Sequence, residues 1–293
     1  MVLTKKQIKT VIKNASRALA KYCMKAGIHN TVTGISGGLD SAVTLALAGK
    51  AAEYAYKKGF VIKNIGLILP CQSDPRHAVL AKKVIKKFNA GLIEIDLSKV
   101  FENIDKSVLK PLSDELLEYH LDEHKFKYRT SRGNIKARLR MALGTYFVAN
   151  MVNGLVLSTD NYSEYWLGFW TLHGDVGDFG MIQGLWKGTE LIQIAEYLGV
   201  PREVISAAPT DGLDILPGGD EAQIGAPYDV VDRVLREAMR REIDLNGSIE
   251  QLKKMPPVKG VNRETVLKIL KRSLGNAFKR KNPLNLSRKD LGL

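Results

Sequence analysis

The sequence predicts an α/β fold: a Rossmann-like parallel sheet with helices on both faces and extra helices toward the C-terminal end. Three observations carry that expectation. Strand-like apolar runs alternate with segments of helical periodicity. The runs are apolar nearly throughout, as strands covered on both faces are. Two of them lead into hydroxyl and acidic residues, where the carboxyl edge of such a sheet collects ligands.

The elements follow in order. Thr4 and Gln7 have the spacing of a capping box, Ile8, Val11, Ile12, Ala15, Leu19 and Cys23 keep one helical face, and Gly27 closes it. "NTVTGIS" (30–36) reads as a strand and 41–58 as a helix ended by Gly59. "NIGLILPC" (64–71) is the second strand, Asp74 and Pro75 start the next helix, and "GLIEIDL" (91–97) is the third strand. This rhythm requires right-handed crossovers between parallel strands. Residues 99–150 read as helices, with a break expected at Pro111 and an end at Gly154, before a fourth strand "LVLST" (155–159). A Gly- and Asp-rich stretch (171–183), a helix stopped by Pro201, and a long loop of prolines, glycines and acids (206–227) come next. Loops of that length in compact domains are usually functional or mobile. Helices over 228–243 and 262–274 lead into a basic tail. No linker or internal repeat divides the chain, so 1–293 reads as a single domain.

Composition narrows the function less than the order of elements does. The formal charge of +13 is compatible with a polyanionic partner, yet the lysines are scattered over amphipathic helices and read as solvated faces. No run approaches a membrane span and the N-terminus lacks a signal peptide, so no membrane partner is expected. Cys23 and Cys71 form neither a disulfide framework nor a zinc cluster and read as reduced thiols of a cytoplasmic protein.

The informative stretch is "GISGGLDS", Gly34, Ile35, Ser36, Gly37, Gly38, Leu39, Asp40 and Ser41, at the point where a strand becomes a helix. Free N–H groups and the positive end of the helix dipole face the sheet edge there, glycines admit an anion to the backbone, and serines add hydroxyls. The turn is neither G-x-x-x-x-G-K-[ST] nor G-x-G-x-x-G. An acid facing phosphates is repulsive unless a divalent cation lies between them, so Asp40 points to a Mg²⁺-nucleotide site.

Strand, SGG-x-DS and helix together resemble the signature loop of the ATP pyrophosphatases. "NIKARLRM", "LVLSTDNYSE", "HGDVGD", "GLWKGTELIQIAEYLGVP", "PTDGLD", "DEAQIGAPYDVVD" and "FKRKNP" then occur in the order found in ammonia-dependent NAD synthetases, over about 30–283. The resemblance implies an adenine-nucleotide alpha-hydrolase-like fold, adenylation of the nicotinate carboxylate of deamido-NAD by ATP, and displacement of AMP by ammonia. It implies that residues 34–41 hold ATP together with Thr159, Lys187 and Thr210, that Asp40 and Glu164 bind Mg²⁺, and that Asp40 and Lys187 are catalytic. Arg138, Asp178 and Lys279 match deamido-NAD positions. The acidic loop is expected to order over the triphosphate as a lid. Members are homodimers with the dinucleotide at the subunit interface, and no nucleic-acid partner is implied. Leu172, Phe278 and Ile68 stand where the family usually has Lys, His and Arg, and "GDVGDFG" is one residue shorter than usual. Trp166, Trp170 and Trp186 could stack on a nicotinate ring, though core packing is the simpler role. A tRNA-modifying ATP pyrophosphatase and a non-catalytic nucleotide-binding module remain as alternatives. The chain's length leaves no room for a glutaminase domain after the synthetase, so free ammonia is the expected nitrogen source.

Overall fold

A computed structural model of the chain describes residues 2–117, 124–210, 212–213, 215–283, 285–288 and 290. Five strands, β1 (Asn30–Gly34), β2 (Lys63–Ile68), β3 (Gly91–Glu94), β4 (Gly154–Ser158) and β5 (Phe179–Gly180), form a parallel sheet in the order β3-β2-β1-β4-β5. Val32 of β1 lies opposite Ile65 of β2 and Val156 of β4. β5 falls in the stretch that reads as irregular. Two residues are too few for any periodicity, and pairing of Leu157 with Phe179 and Ser158 with Gly180 defines it.

Thirteen α-helical segments among the described residues surround the sheet: α1 (Lys5–Ala26), α2 (Leu39–Tyr56), α3 (Pro75–Lys87), α4 (Ser98–Ile104), α5 (Lys110–Leu117), α6 (His124–Leu139), α7 (Phe147–Met151), α8 (Tyr162–Leu167), α9 (Ile192–Leu198), α10 (Arg202–Ile205), α11 (Gly219–Ile224), α12 (Tyr228–Arg240) and α13 (Arg263–Gly275). The capping box of Thr4 and Gln7 forms, Gly27 adopts the left-handed conformation at the end of α1, and Asp74 caps α3. The break expected at Pro111 does not occur. A π-helical turn, Asp105–Leu109, precedes α5, and this wider coil gives the proline ring room where a regular helix would clash. The helical reading across 118–123 lies outside the described residues.

α2 is buried on nearly every side, from Ser41 through Ala48, because α1 and α9 cover the faces that the sheet does not. A helix apolar all round is stable only in such a place. Burying Leu45 and Leu47 contributes roughly 1.5–3 kcal/mol each. On the other face of the sheet Val32, Leu67 and Val156 pack against Val148 and Ala149. A second core joins α8, α12 and α13 through Leu167, Trp186, Tyr228, Val231, Leu235, Ile269 and Leu270. Trp186 is therefore a core residue. The chain leaves β1 toward β2 on one side and returns as β4 on the other, so the carboxyl ends of β1 and β4 flank a topological switch point.

Candidate active site

A cavity of about 730 Å³ opens at that switch point. Its floor is the turn after β1. Ile35 N–H donates to Leu67 O (2.7 Å) and its side chain enters the core, so only its backbone can serve a ligand. Leu39 likewise packs on the core. Ser36 Oγ accepts from Gly38 N–H (3.2 Å) and meets Ser41 Oγ (3.2 Å), which donates to Gly38 O (3.2 Å). The glycines divide the work. Gly37 has φ +85°, and a Cβ there would lie 2.5 Å from His77 O, so it admits the first turn of α3. A Cβ at Gly34 would have no atom within 4 Å, and one at Gly38 only Ser36 Oγ at 3.4 Å. These two leave the backbone open. Gly38 is also the N-cap of α2 and offers its first-turn N–H groups no side-chain acceptor, which suits them to an anion.

Three carboxylates gather above this turn around Lys187. Its Nζ lies 2.9 Å from Asp40 Oδ2, 2.8 Å from Glu164 Oε1 and 3.6 Å from Asp220 Oδ2, and 4.4 Å over the Tyr228 ring. Tyr228 O–H stands 3.3 Å from both Glu164 Oε1 and Asp220 Oδ2. Asn161 fixes the acids: its Nδ2–H donates to Asp40 Oδ1 (2.9 Å), its Oδ1 accepts from Glu164 N–H (3.0 Å), and its own N–H reaches Glu164 Oε2 (3.4 Å). Burial pushes Glu164 up to about 8 while Lys187 pulls the other way. Burial lowers the affinity of Lys187 for its proton, but Asp40, Glu164, Tyr228 and Asp220 together hold its pKa well above the usual lysine value.

Farther along the wall two more acids carry perturbed pKa values. Asp160 is pushed up to about 6 by burial, against the Ser158 hydroxyl that donates to it (2.5 Å), with Asp40 adding to the rise. Asp175 is pushed up to about 7 by burial and by Asp160, although Thr171 N–H donates to it (2.8 Å). Carboxyls poised this close to neutrality in a cleft are suited to proton transfer.

The cavity brings together Gly34 through Ser41, Thr159, Glu164, Lys187 and Thr210. Thr210 is exposed and its Oγ1 accepts from Gly212 N–H (3.2 Å). Arg138, Asp178 and Lys279 lie outside its lining. Arg138 Nε–H donates to Leu172 O (3.2 Å), and Asp178 accepts from Tyr146 O–H (2.5 Å) and Val156 N–H (3.2 Å). Lys279 donates to Gly168 O (2.8 Å) and Trp170 O (2.6 Å). Burial lowers its pKa while nearby Asp175 raises it.

Sequence reasoning missed Asn161, Asp220, Tyr228 and Asp175, and read Asp160 only as the acid at the end of the fourth strand. Asn161 was legible, because N-Y-S-E is a capping box that also names Glu164. Asp220 enters through α11, a short helix inside the segment read as loop, where Gly219 (φ +69°) lets Asp220 N–H reach Pro209 O (3.1 Å).

The sequence and structure have close counterparts. A family model described as NAD synthase matches residues 11–283. The chain is 33% identical to an NH(3)-dependent NAD(+) synthetase from Syntrophomonas wolfei, over 80% of this chain and 89% of the relative. It is 35% identical to one from Alkaliphilus metalliredigens, over 83% and 95%. An NMN synthetase from Francisella tularensis superposes with a TM-score of 0.71 at 25% identity, over 96% and 98%. With its switch-point cavity, open glycine turn and lysine-bridged acids, the chain belongs to the NAD synthase family.

Proposed function

We propose that this chain is an ammonia-dependent NAD synthetase that adenylates the nicotinate carboxylate of deamido-NAD with ATP and amidates the adenylate with ammonia. The observation that carries the reading is the convergence of Asp40, Glu164 and Lys187 on one point above the glycine turn. A carboxylate has no leaving group of its own. Attack of its oxygen on the α-phosphorus expels pyrophosphate and leaves an acyl adenylate, and attack of ammonia on the acyl carbon then expels AMP and a proton. A tRNA-modifying activity is not favoured, since the family match points to NAD synthases.

The turn from Gly34 to Ser41 is the cradle for the β- and γ-phosphates, with Thr159 and Thr210 contacting ATP from either side. Asp40 and Glu164 suit a magnesium ion. Their oxygens lie within 3 Å of one ammonium nitrogen, so one cation can meet both. A two-carboxylate site completed by phosphate oxygens and water is the usual one for magnesium. When bound, Mg²⁺ supplies charge neutralisation for the departing pyrophosphate. Lys187 turns its ammonium from the acids to the α-phosphate, where charge develops in the transition state. Asp175, which lines the same cavity, accepts the proton released from ammonia. We read the acidic segment, of which Ala207 to Thr210, Gly212, Leu213 and Asp220 line the cavity, as the lid that orders over the triphosphate and keeps water out.

Arg138, Asp178 and Lys279, beyond the cavity wall, bind the rest of the dinucleotide across a homodimer interface. Leu143, Phe147 and Met151 support this, since these exposed apolar residues recur every fourth position beside Tyr146, the partner of Asp178. We read 1–293 as one catalytic unit. Two buried free thiols suit a cytoplasmic protein, and no helix among the described residues is long and apolar enough to cross a membrane.

A second reading, amidation of the corresponding mononucleotide, is raised by the Francisella NMN synthetase likeness and by Leu172 and Phe278 at dinucleotide positions. Mass-spectrometric detection of product from Mg-ATP with deamido-NAD or nicotinate mononucleotide, each with ammonium or glutamine, tests both. NAD formed from deamido-NAD and ammonium is the expected result; product from the mononucleotide alone would establish the second reading, and no amide from either would refute both.

A further inference from the structure

Asp232 has no place in the chemistry above, yet it is a fully buried acid in the first turns of α12. Taking a carboxylate out of water is costly, and an apolar residue would pack that helix at less cost. Its contacts explain its presence. Asp232 Oδ1 accepts from Ser163 Oγ–H (2.6 Å) and Oδ2 from Thr189 Oγ1–H (3.0 Å). Ser163 Oγ in turn accepts from the backbone N–H of Lys187 (3.0 Å). Ser163 directly precedes Glu164, and Thr189 stands two residues after Lys187. Arg236 Nη2 reaches Thr189 Oγ1 (3.4 Å), but its ion pair is with Glu190 (2.6 Å).

We propose that Asp232 is the positioning residue that holds Glu164 and Lys187 in mutual register, by tying the start of α8 to the turn that carries Lys187. The proposal rests on the reading of those two residues as the metal- and phosphate-handling pair. Three features make the link rigid. Lys187 opens a π-helical turn, Lys187–Leu191, so its N–H has no partner within the helix, and Ser163 supplies one. Gly188 lies so close to the backbone of Tyr228 and Asp229 that any Cβ would collide with it, which seats the lysine turn on α12 itself. The hydroxyl protons of Ser163 and Thr189 both point at Asp232, so the arrangement requires a group that only accepts. An asparagine would turn an amide N–H toward one hydroxyl and force it to reverse.

The test is steady-state kinetics with backbone hydrogen exchange at the amide of Lys187, in the full-length protein, for Asp232→Asn, Ser163→Ala and the double variant. Partners that orient a metal-site residue typically act at 10–100-fold, so kcat should fall roughly that much in each single variant while KM for ATP holds. The double variant should be no slower than the worse single one, because both act through one path. The Lys187 amide should be protected in the wild type and exchange faster in each variant, without global unfolding. Should Asp232→Asn fail to fold, Ser163→Ala carries the test. An unchanged kcat per folded molecule, or an amide whose exchange does not change, would overturn the proposal. A wild type that makes no NAD while its Lys187 amide depends on Asp232 would instead refute the reading of function and leave only a structural tie.

Discussion

Lys187 Nζ and Asp40 Oδ2 lie 2.9 Å apart, joining the turn that follows β1 to the π-helical turn that precedes α9. Neither segment approaches the other in sequence, and the pair exists because β1 and β4 are neighbours in the sheet. One cation serves three acids there.

Loss of that cation should be costly. Lys187→Met leaves Asp40, Glu164 and Asp220 crowded without their ammonium, and breaking a buried charge cluster in this way costs about 3–5 kcal/mol. Urea unfolding should show a loss of that order, with NAD formation reduced at least about 100-fold. Lys187→Arg should recover stability better than activity, because the planar guanidinium keeps the charge but not the geometry.

Stability should fall as pH rises from about 5 to about 8. Asp160 and Asp232 near 6, Asp175 near 7 and Glu164 near 8 all have folded pKa values above those of free carboxyls. The folded state then binds more protons than the unfolded one in this window, and each group's contribution is lost as pH climbs through its folded value. The urea midpoint at pH 5.5 should exceed that at pH 8 in nucleotide-free protein; a flat or rising profile would contradict the burial of these acids.

Asp175 should set the acid limb of the ammonia step. With the nitrogen source expressed as free NH₃, kcat/KM should rise through pH about 7 as the carboxyl ionises. Asp175→Asn should remove that limb and lower the plateau about 10²–10⁴-fold. A variant with an unchanged profile would free Asp175 of this role.

The glycines of the turn should separate fold from ligand. Gly37→Ala forces a left-handed φ of +85° on alanine and a collision with His77 O, so it should destabilise by at least about 1–3 kcal/mol. Gly34→Ala meets nothing within 4 Å and should leave stability within about 0.5 kcal/mol while weakening ATP binding. Thermal melts beside ATP titrations check both.

Much of this was legible in the sequence because it is local. The alternation of strands and helices, the caps at Thr4 and Asp74, and the strand–turn–helix at Gly34–Ser41 depend on neighbours along the chain. Long-range effects were not legible. Pro111 reads as a break because sequence gives no sign of the π-helical turn that accommodates it. β5 is defined by its partner strand alone. Asp220 reads as one acid among several in a loop, until α11 carries it to Lys187. Asp232 did leave a trace: it sits on the same helical face as Tyr228 and Leu235, and an acid on an apolar face invites the question of its partners.

The central claim is that Asp40, Glu164 and Lys187 serve the activation of a carboxylate on the α-phosphate of ATP. Deamido-NAD labelled with ¹⁸O in its nicotinate carboxylate tests it most directly, by mass spectrometry of the nucleotide released with ammonium and Mg-ATP. One ¹⁸O should appear in AMP for each NAD formed, with transfer abolished in Asp40→Ala. Formation of ADP with labelled inorganic phosphate, or unlabelled AMP, would contradict it.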